Sequence, residues 1–502
     1  MTGPTRSRPK FPIRPHPHLY EINTWSWLEQ LSKKLRRAIH LDEVPDSEWD
    51  WIAGRGFDIA WLMGVWQRSP ASRQIALSDP ANFPQYDRAL PGWKPNDVIG
   101  SPYSVASYTP DPRVGTWVAL DRVREKLHER KIALFLDFVG NHTALDHRWT
   151  REHPDFYVTG SQEDFEKEPA LFISVETKDG TRYLARGRDP YFPPWKDVAQ
   201  LNHFNPAMRA AQIEQLRLIA QHCDGIRCDM AMLHLNSIFS WIWSARLKGV
   251  PTPEKEFWSE AHAAVPDLAL FAEAYWGTEP RLLELGFSFA YDKELYDAVR
   301  DGKLDAIRAR LGADSTEQLR QARFLENHDE ARRPIVFGNE RLQAVGTLMG
   351  TLPGMRFYHQ GELEGRRNHL PITLRMPADE PPDSTSTAFF GQLLRITKDD
   401  AFHAGDWNLV QTIAEGDATA SNLFVYEWRS ASEWKLIAVN MSGAAAQGRV
   451  KLPGRTQRGK TYIFDDRLNG VKYPRSGDEI ADEGLFVRRD AYGAHLFDVT
   501  PE

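Results

Sequence analysis

Cys223–Met232, CDGIRCDMAM, lies near the middle of the 502-residue chain. From Gly225 onward it reads as a short buried strand. Side chains alternate along a strand, so Arg227 and Asp229 face one side and Cys228 the other. A buried strand that points a cation and an anion into one interior needs a reason. Taken alone, the pair reads equally well as a structural ion pair.

Similar segments lie on both sides of it. Upstream are LYEINTWSWL (19–28), FDIAWLMGVW (57–66) and IALFLDFVGNH (132–142). Downstream are LALFAEAYW (268–276), FSFAYDKEL (287–295), ARFLENHDE (322–330) and GMRFYHQGE (354–362). With GIRCDMAM (225–232) they make eight strand candidates. Helix-like segments alternate with them, as at 116–131 and 205–222. Thr116 is placed to cap the first. Asn205 followed by Pro206 is a cap and first-turn pair for the second. Eight strands separated by helices predict a (β/α)₈ TIM barrel, an α/β fold.

Two stretches break the alternation. Residues 143–200 are rich in Asp, Glu, Pro, Gly and aromatics, and are too long for a plain loop, so they read as a small inserted subdomain after strand three. After residue 395, short alternating runs such as LFVYEWRS and WKLIAVNMS read as an antiparallel β-sandwich. The expected division is a barrel from 1–142 and 201–395, an insert at 143–200, and a C-terminal domain at 396–502. A chain of this length exceeds one compact core.

Hydrophobic residues make up 41% and charged residues 26%, as in soluble enzymes. The formal net charge of −7 argues against nucleic acid or an anionic membrane as partner. No apolar run reaches membrane-spanning length. The basic N-terminal stretch MTGPTRSRPKFPIRPHPHLY lacks the apolar core of a signal peptide. The two cysteines cannot form a disulfide framework. A cytoplasmic location is expected. No motif specifies an oligomeric state.

Barrel active sites lie at the C-terminal ends of the strands. Strand three delivers Asp137, Asn141 and His142. Strand four delivers Arg227 and Asp229, strand five Glu273, and strand seven His328 and Asp329. Paired carboxylates without a metal cluster suggest glycosidic bond cleavage. Arg227 is expected to keep Asp229 ionised by lowering its pKa, and less polar neighbours to raise that of Glu273. That asymmetry makes Asp229 the nucleophile and Glu273 the acid/base.

The segments DFVGNH, GIRCDMAM, FAEAYWG and FLENHDE resemble, in order and spacing, the four signature regions of the α-amylase superfamily, glycoside hydrolase family 13. The resemblance covers nearly the whole chain. It implies a retaining mechanism on α-glucosidic bonds through a covalent glucosyl-aspartate. Asp229, Glu273 and Asp329 would then be nucleophile, acid/base and transition-state stabiliser. His142 and His328 would bind sugar hydroxyls, with Arg227 and Asp137 in support. SPYSVASY resembles the segment after strand two, which puts Tyr103 beneath the sugar ring.

Three positions depart from the family pattern. Met232 and Leu233 stand where many amylases carry Lys-His, which favours a short or unusual aglycone. Ser107 replaces an Asp, and Gln200-Leu201-Asn202 replaces Asp-Leu-Asn. No cofactor is required. The resemblance makes Asn141 a structural-calcium candidate, with Asp155, Asp164 and Asp179 of the insert as available acids, none at diagnostic spacing. Trp276 reads equally as an aglycone wall and as core. Phe192 and Trp195 in DPYFPPW read as packing within the insert more than as a cap on the cleft. The expected activity is hydrolysis of short α-glucans or α-glucosides. Transglycosylation by the same triad is the alternative, motivated by the apolar Met232 and Leu233. A non-catalytic binding scaffold is disfavoured because all three carboxylates are present.

Overall fold

The computed structural model describes residues 11–502; the first ten residues of the basic N-terminal stretch lie outside them. Eight strands form the barrel: β1 His18–Asn23, β2 Ile59–Met63, β3 Ala133–Phe138, β4 Gly225–Cys228, β5 Ala269–Ala272, β6 Phe289–Tyr291, β7 Gln321–Arg323 and β8 Met355–His359. They pair in parallel in chain order, and β8 closes onto β1. Runs such as ALFLDF are buried at every position, because helices cover one face and barrel side chains the other.

Each predicted strand is present but shorter than its apolar run. The first shows why. The Asn23 side chain accepts from the Ser26 N–H at 3.2 Å, so helix Thr24–Leu35 starts where the strand reading continued to residue 28. Likewise Asp229, Glu273 and Asp329 lie beyond the ends of their strands. They therefore sit on loops that a rigid barrel positions. Arg227 is still on β4, registered opposite Asp137 of β3 and Phe271 of β5.

Thr116 accepts from the Ala119 N–H at the start of helix Trp117–Glu129. Asn205 caps helix Pro206–Ile219, with Pro206 at its first position. After β3 the chain enters the insert. His142–Ala144 pairs antiparallel with Val198–Gln200 at its neck. Beyond the neck, Thr159–Gly160, Gly180–Ala185 and Phe172–Thr177 form a three-stranded sheet.

The C-terminal region carries a six-stranded and a three-stranded antiparallel sheet, with a core that includes Leu436, Phe464 and Val487. It is fastened to the barrel at Thr351, whose carbonyl accepts from Trp428 Nε1 at 2.7 Å. Among the described residues, no helix is long and apolar enough to cross a membrane.

Candidate active site

A cleft of about 490 Å³ opens at the C-terminal rim of the barrel. Asp229, Glu273 and Asp329 line it, with Tyr103, His142, Met230 and Trp195. Ser72, Asp79, Lys196 and Asp197 also line it. Lys196 Nζ reaches Asp79 Oδ2 at 2.6 Å, joining the insert to the segment after β2 and narrowing the cleft there.

Arg227 lies beneath the carboxylates, with no exposed surface. Its Nη1 donates to Asp229 Oδ1 at 2.7 Å, and its Nη2 stands 2.8 Å from Glu273 Oε2. The rings of Trp61, Tyr103 and Tyr291 surround the guanidinium at 5.2–5.7 Å. One planar cation thus ties two acids from neighbouring strands. Glu273 also accepts from the Met230 N–H at 2.6 Å and the Tyr275 hydroxyl at 2.8 Å. Met230 has φ +43°, a left-handed conformation that a non-glycine residue holds only under constraint. Its bond to Glu273 is part of that constraint.

The electrostatics differ from residue to residue. Burial pushes Glu273 up to about 7; Arg227 opposes this, and the charges of Asp229 and Asp329 add to it. That direction matches the sequence reading, although the neighbours are polar as well as apolar. For Asp229 the sequence reading predicts a lowered pKa, and the structure corrects it. Burial raises the Asp229 pKa by more than Arg227 lowers it, because that guanidinium is shared with Glu273 and Asp329 adds a like charge. Burial also works to raise Asp329, but His328 outweighs it, and Asp329 is held down to about 2.

His328 is the pivot of the other wall. Burial favours its neutral form, yet Asp329 and Glu21 on either side hold its pKa well above the ordinary histidine value. Its Nδ1 bonds Glu21 of β1, and its Nε2 lies 3.1 Å from Asp329 Oδ2 and 2.8 Å from the Tyr103 hydroxyl. Tyr103 stacks on its ring at 5.2 Å.

The candidate residues therefore separate into two groups. Tyr103, His142, Asp229, Glu273 and Asp329 face the cleft. Arg227, His328 and Asp137 stand behind its wall with their polar atoms engaged. Asp137 accepts from Trp61 Nε1 at 3.0 Å and the Gly64 N–H at 2.7 Å, so it braces the end of β2. Burial raises it to about 6. His142 is held neutral by burial, which lowers its pKa to about 4, and its ring meets that of Trp195 at 5.2 Å. Trp195 thus reaches the cleft, where the sequence reading favoured packing within the insert. Trp276 lies outside the cleft lining and packs against Tyr191.

Met232 and Leu233 are buried, not exposed to an acceptor. After Met230 the chain winds into a short turn, Ala231–His234, pinned where the Ala231 N–H donates to the Glu273 carbonyl at 3.0 Å. Only Met230 of the quoted tail reaches the cleft. The motive for an apolar acceptor site falls away with that burial.

The family's calcium does not fit the residues around Asn141. Gln200 Nε2 donates to both the Asn141 side-chain oxygen and its carbonyl at 2.9 Å, so an amide N–H points where a cation would need oxygen. Asp164 is paired with Arg246, and Asp179 sits on an exposed turn. Among the described residues, no group of three or more His, Cys, Asp or Glu is placed to hold a metal ion.

Sequence reasoning missed Glu21, Tyr275, Lys196 and Asp197. A signal existed for Glu21: a lone carboxylate inside the buried strand HLYEIN. Tyr275 has a weaker one, two positions beyond Glu273. Lys196 and Asp197 come from an aperiodic insert and carry none.

A closed barrel with clustered carboxylates at its C-terminal rim is a scaffold for glycoside chemistry. Residues 48–419 match the family model for the alpha amylase catalytic domain, and the chain belongs to that family. It is 27% identical to Alpha-amylase 3 of Dictyoglomus thermophilum over 298 residues, 54% of each chain. It is 24% identical to Alpha-amylase MalA of Haloarcula japonica over 78% of this chain and 51% of that one. The chain thus spans about half the length of these curated relatives. A maltogenic alpha-amylase from Thermotoga neapolitana shares the fold, with a TM-score of 0.68 at 17% identity, covering 96% of this chain and 98% of that one.

Proposed function

We propose that the protein is a retaining α-glycoside hydrolase acting on short α-glucans or α-glucosides through a covalent glucosyl-aspartate. The observation that carries this reading is Arg227 bridging Asp229 and Glu273. Acids held by neighbouring nitrogens of one guanidinium are close partners. Retaining pairs stand about 5–5.5 Å apart, and inverting pairs about 6.5–9.5 Å, with room for a water.

In this reading, Glu273, raised to about 7, still holds its proton in about half of the molecules at neutral pH and gives it to the leaving oxygen. Asp229 attacks the anomeric carbon, oriented by its bond to Arg227. Glu273, now ionised, then takes a proton from the water that releases the sugar. Asp329 stays anionic and faces the positive charge that develops on the ring. Tyr103 presents a flat face at the cleft floor, and His142 a neutral imidazole for a hydroxyl.

Two buried, unpaired thiols fit action in a reducing compartment. The relatives support the reaction class more than any one substrate, since they include a Trehalose synthase from a Pimelobacter species and an Oligo-1,6-glucosidase of Bacillus cereus. The test is a product profile across sucrose, trehalose, maltose, isomaltose and starch, with Asp229→Ala as control. Release of an α-configured sugar that the variant abolishes is expected. No turnover of any α-glucoside, or turnover undiminished in the variant, overturns the proposal.

A further inference from the structure

In the proposed reaction Glu273 gives up a proton and later recovers one, so its partners decide how readily each half proceeds. The two carboxylate oxygens differ. Oε2 accepts from the Met230 N–H at 2.6 Å and lies 2.8 Å from Arg227 Nη2. A proton on Oε2 would face a donor and a cation. Among the described residues, Oε1 accepts from the Tyr275 hydroxyl at 2.8 Å. A carboxylate oxygen has two lone-pair sites, so the hydroxyl fills one on Oε1 and leaves the other for the transferable proton.

Tyr275 is held in place. Trp276 has φ +63° and Gly277 φ +68°, two left-handed residues in succession that turn the chain back on itself. Thr278 then donates to the Tyr275 carbonyl twice, from its hydroxyl at 2.7 Å and its N–H at 3.3 Å. The Tyr275 ring packs against the barrel core. It stands outside the cleft lining, so it meets the reaction only through Glu273.

The charged and titratable groups that act on this pair are Arg227 on β4, Asp229 and Asp329 on the loops after β4 and β7, and Tyr291 on β6. Burial, with Glu273, Asp329 and Tyr291 adding to it, holds Tyr275 well above the ordinary tyrosine value, so the hydroxyl keeps its own proton. Arg227 also binds Asp229, and the Met230 donor belongs to the backbone. Tyr275 is the donor that serves Glu273 through a side chain of its own.

We infer that Tyr275 is a positioning residue for the acid/base: its hydroxyl aims Oε1, and its bond strengthens as the Oε1–H bond breaks. This rests on the hydrolase reading above and deepens it. In the first step the Oε1 proton passes to the leaving oxygen, which takes the electron pair of the breaking bond to the anomeric carbon while Asp229 bonds that carbon. The charge left on Oε1 makes the Tyr275 bond charge-assisted, so its stabilisation grows towards the transition state. In the second step the oxygen of water bonds the anomeric carbon, its proton returns to Oε1, and Asp229 leaves with its electron pair. Tyr275 transfers no proton.

The test compares wild type with Tyr275→Phe, which removes the hydroxyl and keeps the ring; matched thermal melts verify the fold. Losing a donor to the ionised form raises Glu273, so the basic limb of kcat/KM on maltose is expected to move up by about one pH unit. On the plateau, kcat/KM is expected to fall about tenfold on maltose and to stay within about twofold on a dinitrophenyl α-glucoside, whose leaving group needs no proton. Equal losses on both substrates, or a limb that stays within about 0.3 pH unit or moves down, overturn the inference and leave the hydrolase reading standing. A readout that needs no turnover is the Glu273 carboxyl stretch in infrared difference spectra, assigned by its absence in Glu273→Gln. Its titration midpoint is expected at about 7 in wild type and about one unit higher in Tyr275→Phe. A midpoint unmoved by the substitution overturns the inference, whether or not any α-glucoside is turned over.

Discussion

Replacing Glu273 with Gln isolates the step that depends most on the geometry. The side chain keeps its length and one acceptor oxygen for the Met230 N–H, but loses the transferable proton. Removing a general acid costs about 10²–10⁴ in rate when the leaving group is a sugar alkoxide. It costs far less when the leaving group is an activated phenolate that departs unaided. The wild-type pH dependence follows from the same residue. With Glu273 raised to about 7, the proton-donating form dominates below that value, and about one-eleventh remains at pH 8. The raised pKa of an acid makes the basic limb fall earlier, so kcat/KM on maltose is expected to drop about tenfold per pH unit above 7. The assay measures kcat/KM from pH 4 to 9 on maltose and on a dinitrophenyl α-glucoside, for both enzymes. Glu273→Gln should remove the basic limb on the activated substrate and restore rate on addition of azide. Equal losses on both substrates, or a basic limb that survives the substitution, would refute the assignment.

Four further outcomes are expected. A 2-deoxy-2-fluoro α-glucosyl probe with a good leaving group should label the peptide containing Asp229, read by mass spectrometry; labelling elsewhere excludes Asp229 as nucleophile. Glu21→Gln removes one of the two anions that keep His328 charged, a stabilisation present at low pH and lost as pH rises through the elevated His328 value. Its kcat should fall about tenfold at pH 7 and more steeply above, as a charge-assisted bond worth about 1.5–3 kcal/mol implies; a loss that is flat with pH indicates packing alone. Gln200→Ala strands the Asn141 acceptors and should cost about 1–3 kcal/mol in denaturant melts, while EDTA leaves the wild-type melting temperature unchanged; a chelator-induced drop would restore calcium to this site. Met232→Lys restores the lysine that many amylases carry, but places a charge at a buried position, and should destabilise the fold without improving starch hydrolysis.

Much of the architecture was legible because local rules and the fold agree. The apolar runs of β3 and β4 are buried on both faces, which only a covered parallel sheet provides, and the caps at Thr116 and Asn205 form as read. Strand ends were less legible. Asn23 stops β1 by accepting from the Ser26 N–H, and that competition between cap and strand is set by hydrogen bonds, not by hydropathy. Met232 and Leu233 misled for a similar reason: their apolar character was clear, but whether they face core or cleft depends on the turn from Ala231 to His234.

By itself, the sequence determined which chemistry is available. It put Asp229, Glu273 and Asp329 at the C-terminal ends of the fourth, fifth and seventh strand candidates, and two-residue alternation put Arg227 on the interior face with Cys228 behind it. Only the tertiary structure decided how that chemistry is tuned. The sharing of Arg227 between two carboxylates, the Glu21–His328–Asp329 chain and the Gln200 amide against Asn141 all join residues far apart in the chain. Their energies depend on distance, burial and a shared counter-ion, none of which can be read from residue order.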